Sequence, residues 1–342
     1  MPITMIRRAG LLANVHSIRG WASLLLCVLV PAVALADGDD VRDRLAPNRS
    51  PDDSTIQRLL ELHHAHTERV RLVLLPTSVT DRKGRIVRGL DRDDFTVFED
   101  HVPQEIRVFS TEAREPVSIA FLLDVSGSMR QMEKIWHAKE AIRHFIDGLQ
   151  PADQFALICF ADDQVAWVTE FTRDRERFLR RLQVQDGYGQ TALHDAVAAV
   201  PGLVDAQIQG RKAIVLITDG IDNFSRLSLN QAIELARRVH VPIFTIGFLA
   251  VPESRLPKGA TIANLEIMRT VSQETGGRVF AVHDPDDLKE AVNALGNELR
   301  FQYLIGYYPT RKRDDGQFHA IRLETHKRRH RVRTRSGYYA TP

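Results

Sequence analysis

Three short segments of this 342-residue chain carry side chains that could bind a metal ion through oxygen. The first segment reads DVSGS, and its D-x-S-x-S spacing puts one carboxylate and two hydroxyls into a single tight loop. The other two segments add a hydroxyl and a second carboxylate. These donors are all hard oxygen atoms, with no His or Cys among them, which favours Mg²⁺ or Mn²⁺ over zinc. The candidate metal-binding residues are Asp124, Ser126, Ser128, Thr191 and Asp219.

The elements around these segments are predicted to bring them to one edge of a sheet. An apolar strand at 117–124 ends on the first segment, and a second apolar strand, within 211–220, ends on Asp219. Thr191 stands where a helix is predicted to begin. Repeated strand–helix units of this kind predict an α/β domain with a doubly wound, mostly parallel sheet that is covered on both faces. Ligands of such sheets bind at the carboxyl ends of the strands, so we expect one site there.

The donor count suggests how the site would work. Mg²⁺ takes six ligands and usually retains water, so three protein hydroxyls with two aspartates, acting directly or through water, would leave one position open. A carboxylate from a partner protein could fill that position. Each segment alone has an ordinary explanation, because Ser and Thr cap helices and a strand-end Asp accepts hydrogen bonds from backbone amides. It is the combination of three segments, each at a strand end or helix start, that predicts a metal site.

The remaining sequence divides into four further regions. Residues 1–36 are basic and then apolar, and they end on Ala-Leu-Ala, which predicts a signal peptide, with an uncleaved membrane anchor as the alternative. Residues 37–68 predict a linker with a short helix. Residues 69–114 predict a β-rich N-terminal unit, and residues 301–342 a β-rich C-terminal extension, on either side of the α/β domain at 115–300. We therefore expect an exported protein that is periplasmic, on the cell surface or secreted, with membrane contact only through the export signal.

Charge argues against a nucleic-acid partner. Removing residues 1–36 would take away three arginines and lower the formal net charge from +2 to −1, which leaves no general attraction to phosphate. The alternating Arg331, Arg333 and Arg335 predict the solvated face of an amphipathic strand.

Two other groups of residues are interpreted without a metal. The histidines His63, His64 and His66 are expected to lie in solvent on a short helix. Asp222 and Asn223, just after Asp219, have ordinary loop composition and are left out of the candidate site.

The three segments resemble the metal-ion-dependent adhesion site of von Willebrand factor type A domains. The resemblance extends over about residues 117–300 and is strongest in three sequence segments, FLLDVSGSM, GQTALHDAV and IVLITDGIDN. It implies a doubly wound sheet and binding of Mg²⁺, or sometimes Mn²⁺ or Ca²⁺, through the serines and the threonine. It also implies a ligand-binding module rather than a catalyst. The β-rich flanks are similar to those of a group of exported bacterial proteins related to this family.

The function expected from these observations is divalent-metal-dependent binding of a protein ligand that presents an acidic residue, in adhesion or assembly at the bacterial cell envelope. Two alternatives stay open. The metal could be purely structural, in a component that braces an envelope assembly. Less favoured is a hydrolase in which the metal activates water and His194, three residues after Thr191, acts as the base.

Overall fold

The computed structural model describes residues 72–111, 116–249, 262–310, 315–327 and 329–340. The predicted signal peptide, the linker helix and the histidines at 63, 64 and 66 lie outside the described residues. None of the helices formed by the described residues has the length and apolarity needed to cross a membrane.

The described residues form fourteen strands and six α-helices, numbered in chain order. The strands are β1 Val73–Thr80, β2 Phe95–Glu99, β3 Val102–Gln104, β4 Ile106–Ser110, β5 Val117–Asp124, β6 Gln154–Ala161, β7 Gln164–Thr172, β8 Arg211–Thr218, β9 Ile243–Phe248, β10 Val279–Val282, β11 Tyr303–Tyr307, β12 Phe318–Thr325, β13 Arg331–Arg333 and β14 Gly337–Tyr339. The helices are α1 Lys134–Asp147, α2 Arg175–Gln183, α3 Leu193–Gln207, α4 Leu229–Arg238, α5 Ala263–Thr275 and α6 Pro285–Arg300.

A six-stranded sheet forms the centre of the molecule, in the order β10-β9-β8-β5-β6-β7. All neighbouring strands are parallel except β6 and β7. Helices α1, α2 and α6 share a hydrophobic core with one face of the sheet. Helices α3, α4 and α5 pack together in a second layer against the strands. Every residue of β5 is buried, because helices cover both faces, and this explains its continuous apolar sequence. The predicted doubly wound α/β class is confirmed.

The order of the strands creates a crevice between β5 and β8. From β5 the chain runs to β6 and β7 at one edge, and then returns to add β8 on the other side of β5. Leu123 pairs with Ile217, so Asp124 and Thr218 end adjacent parallel strands. This reversal of direction is where open α/β sheets bind ligands.

Strands from the two ends of the described chain build a second structure, which we call the flanking β-module (β1–β4 and β11–β14). It consists of two antiparallel four-stranded sheets, β13-β1-β11-β4 and β14-β12-β2-β3. Their side chains share one hydrophobic core, to which Val73, Val97, Tyr303 and Ile321 contribute. Strands of the segments 69–114 and 301–342 therefore pair with each other in both sheets, alternating in the first and meeting at β12 and β2 in the second.

The expectation of one amphipathic strand around residues 330–340 is wrong. The segment divides into β13 and β14, which belong to different sheets. Arg331 is exposed, but Arg333 donates to the carboxylate of Glu298 in α6 at 2.9 Å, and Glu298 is buried. Burial lowers the pKa of the Arg335 guanidinium to about 10. An alternating pattern indicates a solvated face only along an unbroken strand, and this strand ends after Arg333.

Candidate metal centre

Asp124 ends β5 and is completely buried. Its Oδ1 accepts a hydrogen bond from the Ser126 amide at 2.9 Å, and its Oδ2 accepts one from the Thr218 hydroxyl at 2.6 Å. Burial raises the pKa of Asp124 to about 6 and the charge of Asp219 adds to this, although the hydrogen bonds act in the opposite direction. At neutral pH Asp124 is therefore a buried, ionised carboxylate at the switch point.

The two predicted serines lie side by side after β5. The hydroxyls of Ser126 and Ser128 are 3.1 Å apart, and Ser126 is buried. Between them, the amide of Gly127 donates to the carbonyl of Gly189 at 3.0 Å. A Cβ at Gly127 would come within 3.1 Å of the same carbonyl, so the absence of a side chain lets the two loops approach closely.

The loop that carries Thr191 lies against the serine loop. The Tyr188 amide donates to the Val125 carbonyl at 2.7 Å, next to the contact between Gly127 and Gly189. Gly189 has φ +68°, and a Cβ there would lie 2.3 Å from the carboxylate of Asp162, so this position requires glycine. Thr191 is buried, and its position depends on the backbone contacts of its loop.

The loop after β8 completes the arrangement. Asp219 is buried, and its Oδ2 lies 2.8 Å from the Nζ of Lys134, the first residue of α1. The same ammonium is 3.4 Å from the Ser128 carbonyl, so one side chain spans the first and third loops. The sequence analysis did not identify Lys134, because a lysine in the first turn of an amphipathic helix normally lies in solvent.

Asp222 and Asn223 have structural roles. Asn223 Oδ1 accepts from the Thr191 amide at 2.9 Å, and Asp222 Oδ1 accepts from the Leu193 amide at 2.8 Å. Asp222 thereby binds a free amide at the start of α3, which helix ends need, and Asn223 binds an amide two residues before that helix. They hold the Thr191 loop against the loop that follows β8.

His194 is also tied to that loop. Its Nδ1 lies 3.1 Å from the carbonyl of Leu227 and 3.5 Å from Oδ2 of Asp222. These contacts give the ring a packing role at the start of α3. They do not involve the predicted metal residues.

The described contacts bring all three predicted loops together at the carboxyl ends of β5 and β8. Asp124, Ser126 and Ser128 are linked directly, Asp219 through Lys134, and Thr191 through the backbone of its loop. Lys134 compensates only one of the two buried carboxylates, and the remaining negative charge, with three hydroxyls on the same loops, suits a small, hard cation. The residues present therefore fit the predicted metal.

Five large apolar side chains on or next to the loops of this centre, or in the first turn of α1, are exposed. We call them the apolar rim. Met132, with 64% exposure, follows the serine loop, and Tyr188 lies in the Thr191 loop. The rim consists of Met132, Trp136, Tyr188, Ile221 and Phe224. Exposed large apolar side chains on neighbouring loops are typical of an interaction surface.

Comparison with known proteins gives one family match. The model of the von Willebrand factor type A domain family matches residues 118–294, just over half of the chain. An uncharacterised protein of Borreliella burgdorferi is 26% identical over 206 residues, which cover 55% of this chain and 60% of that protein. Inter-alpha-trypsin inhibitor heavy chain H4 of Bos taurus is also 26% identical over 206 residues, but the match covers only 22% of its length. The chain therefore spans less than two thirds of both relatives.

One solved structure with similarity to the chain is proximal thread matrix protein 1 from the mussel byssus, described as having a zinc-occupied MIDAS motif. It is 19% identical, with a TM-score of 0.46, over 59% of this chain and 50% of that one.

Proposed function

This chain belongs to the von Willebrand factor type A domain family, and from that premise we propose that it binds a protein partner through a divalent cation. Ser126, Ser128 and Thr191 would hold the cation directly, and Asp124 and Asp219 would act directly or through water. The cation would be Mg²⁺, Mn²⁺ or Ca²⁺, and when bound it supplies a positive centre for a partner carboxylate. The observation that carries the proposal is the convergence of three oxygen-bearing loops at the β5–β8 crevice.

The electrostatics of the chain support a cation. Ionisation of Asp124 in its buried position costs about 3 kcal/mol, from a pKa near 6 instead of 3.8. A bound cation would offset that cost, because its field favours the ionised form.

The apolar rim supports a protein partner. Aromatic residues and methionine are enriched in protein interfaces, and exposed side chains on the loops around the centre could contact the residues flanking a partner's acid. We therefore propose a partner segment with an Asp or Glu between apolar residues. The predicted export signal at residues 1–36 supports a place of action at the cell envelope.

The test is a selection of peptides by the metal-loaded protein. Random peptides displayed on phage are bound to the immobilised protein in Mg²⁺ and released with EDTA. The selection is run on the wild type and on Thr191→Val, a variant that removes one hydroxyl at nearly constant volume. We expect the wild type to enrich peptides with an acidic residue flanked by apolar ones, and Thr191→Val to lose most of this enrichment.

Each outcome of the selection discriminates between functions. Enrichment that is equal in Thr191→Val, or that lacks acidic residues, would contradict the proposal. Stabilisation of the wild type by Mg²⁺ without any EDTA-released peptide would favour the purely structural metal. Hydrolysis of phosphoesters or peptides that requires Mg²⁺ and is lost in His194→Ala would favour the hydrolase.

A further inference from the structure

Lys134 places a fixed positive charge inside the candidate metal centre. Its side chain is only 10% exposed, and its Nζ lies 2.8 Å from Asp219 Oδ2 and 3.4 Å from the Ser128 carbonyl. An ammonium this close to a predicted metal-binding carboxylate competes with a cation for the same negative charge.

Four other charged groups on the surrounding loops have separate partners. Arg130 forms an ion pair with Asp186. The Asp162 carboxylate accepts from the Gln190 amide at 2.7 Å, and Asp222 binds amides at the start of α3. The charges that bear most directly on the centre are therefore Asp124, Asp219 and Lys134.

The balance of these three charges depends on Lys134. Two carboxylates and one ammonium give the centre a single negative charge at neutral pH. A divalent cation turns this into a single positive charge, which an anionic ligand offsets and a neutral ligand does not. Without Lys134 the loaded centre would be neutral, and the preference for an anion would weaken.

We propose that Lys134 is a specificity-determining residue: its ammonium pairs with Asp219, weakens cation binding, and leaves the loaded centre with an excess positive charge that selects an acidic partner. This inference rests on the proposed function. It predicts that loss of the lysine charge shifts the affinities for cation and carboxylate in opposite directions, which loss of packing alone would not do.

The test is calorimetric titration of the metal-free protein with MgCl₂ alone. Lys134→Met is expected to bind Mg²⁺ at least about tenfold more tightly than the wild type, because one opposing charge is removed at close range. Lys212→Met is the matched control, since Lys212 has 11% exposure and pairs with Asp205 at 2.7 Å, but stands at the opposite end of its strand, near the start of β8. The control is expected to bind Mg²⁺ as the wild type does.

A second titration uses acetate as the carboxylate probe. Replacing chloride by acetate is expected to tighten Mg²⁺ binding in the wild type more than in Lys134→Met, because ligands that bind together strengthen each other reciprocally. Circular dichroism verifies that each variant is folded, and Lys134→Gln is used if the methionine variant is not.

The two proposals fail in different ways. If the wild type binds no divalent cation, the proposed function fails and this inference falls with it. If the wild type binds Mg²⁺ but loss of the lysine charge leaves affinity unchanged or weaker, Lys134 only positions Asp219, and the inference alone is overturned. The inference is likewise overturned if acetate tightens Mg²⁺ binding equally in both proteins.

Discussion

At the scale of single residues, the candidate centre holds one carboxylate, that of Asp124, whose ionised form the fold alone stabilises poorly. Asp124 is buried with hydroxyl and amide donors, and its pKa is raised to about 6 mainly by burial. A carboxyl whose pKa is higher in the folded state than in the unfolded state makes the protein less stable as the pH rises through that range. The buried carboxylate of Asp124 therefore lowers the stability of the metal-free fold, and the same charge favours binding of a cation.

Replacing Asp124 by Asn tests directly whether the ionised carboxylate destabilises the metal-free fold and favours cation binding. In EDTA at pH 7.5, Asp124→Asn is expected to be more stable than the wild type by up to about 3 kcal/mol, because the cost of ionisation disappears. The variant is also expected to gain little or nothing from Mg²⁺. Urea unfolding of both proteins, with EDTA and with Mg²⁺, measures both effects.

Asp153→Asn is the matched control for that measurement. Asp153 is buried near the opposite end of β5, where it accepts from the amides of Val117 at 3.0 Å and Gln150 at 2.8 Å. We expect this variant to lose stability and keep its response to Mg²⁺. An Asp124→Asn protein that unfolds more easily than the wild type in EDTA and still responds to Mg²⁺ would contradict the assignment.

At the scale of elements, one histidine joins β12 to its neighbours in the flanking β-module. His319 is buried, with Nδ1 2.8 Å from Asp100 at the β2–β3 turn and Nε2 3.1 Å from Asp315 ahead of β12. With Glu99, His319 and Asp100 also form a group whose ligand atoms lie within 4.8 Å of one another, as metal sites require. Since both ring nitrogens of His319 already face carboxylates, we interpret the group as a structural ion pair.

This contact predicts a pH-dependent stability. Burial opposes the charged ring, but the hydrogen bonds to Asp100 and Asp315 prevail, and the pKa of His319 is raised above 6.5. A histidine whose pKa is higher in the folded state than in the unfolded state stabilises the fold through its charged ring. This contribution is fully present below pH 6.5 and is lost as the pH rises through the folded-state pKa. His319→Gln is expected to cost about 2 kcal/mol at pH 6, as for hydrogen bonds to charged groups, and less at higher pH.

Denaturant unfolding of His319→Gln and the wild type between pH 6 and 9 measures this convergence. The control is His326→Gln, which removes an exposed ring bonded to the Thr96 hydroxyl at the other end of β12. A cost of His319→Gln that is constant across this pH range would show that the ring acts by packing and not by charge.

At the scale of the whole molecule, a structural feature can be predicted from the sequence when the residues that form it are close together along the chain. The two central strands follow from their local apolar patterns, since the strand predicted at 117–124 is β5 and the strand predicted within 211–220 is β8. The three loops could be grouped because parallel strands end at one edge of a sheet.

Contacts between distant segments carry no local pattern. The pairing of β1 with β11 joins residues more than two hundred positions apart, and nothing in either segment indicates its partner. The ion pair between Lys134 and Asp219 spans 85 positions, and the buried guanidinium of Arg335 lies just past the end of β13. Such features depend on tertiary packing, which overrides local propensity.

The existence of the cation site is best tested by the anomalous diffraction of crystals grown with MnCl₂. We predict one strong anomalous peak in the crevice between β5 and β8, with the hydroxyl oxygens of Ser126, Ser128 and Thr191 within about 2.5 Å of it. We also predict that Asp124→Asn crystals lose the peak. A Mn²⁺ peak that contacts none of these three hydroxyls, or a fully occupied peak that persists in Asp124→Asn, would contradict the proposal that these loops form a cation site.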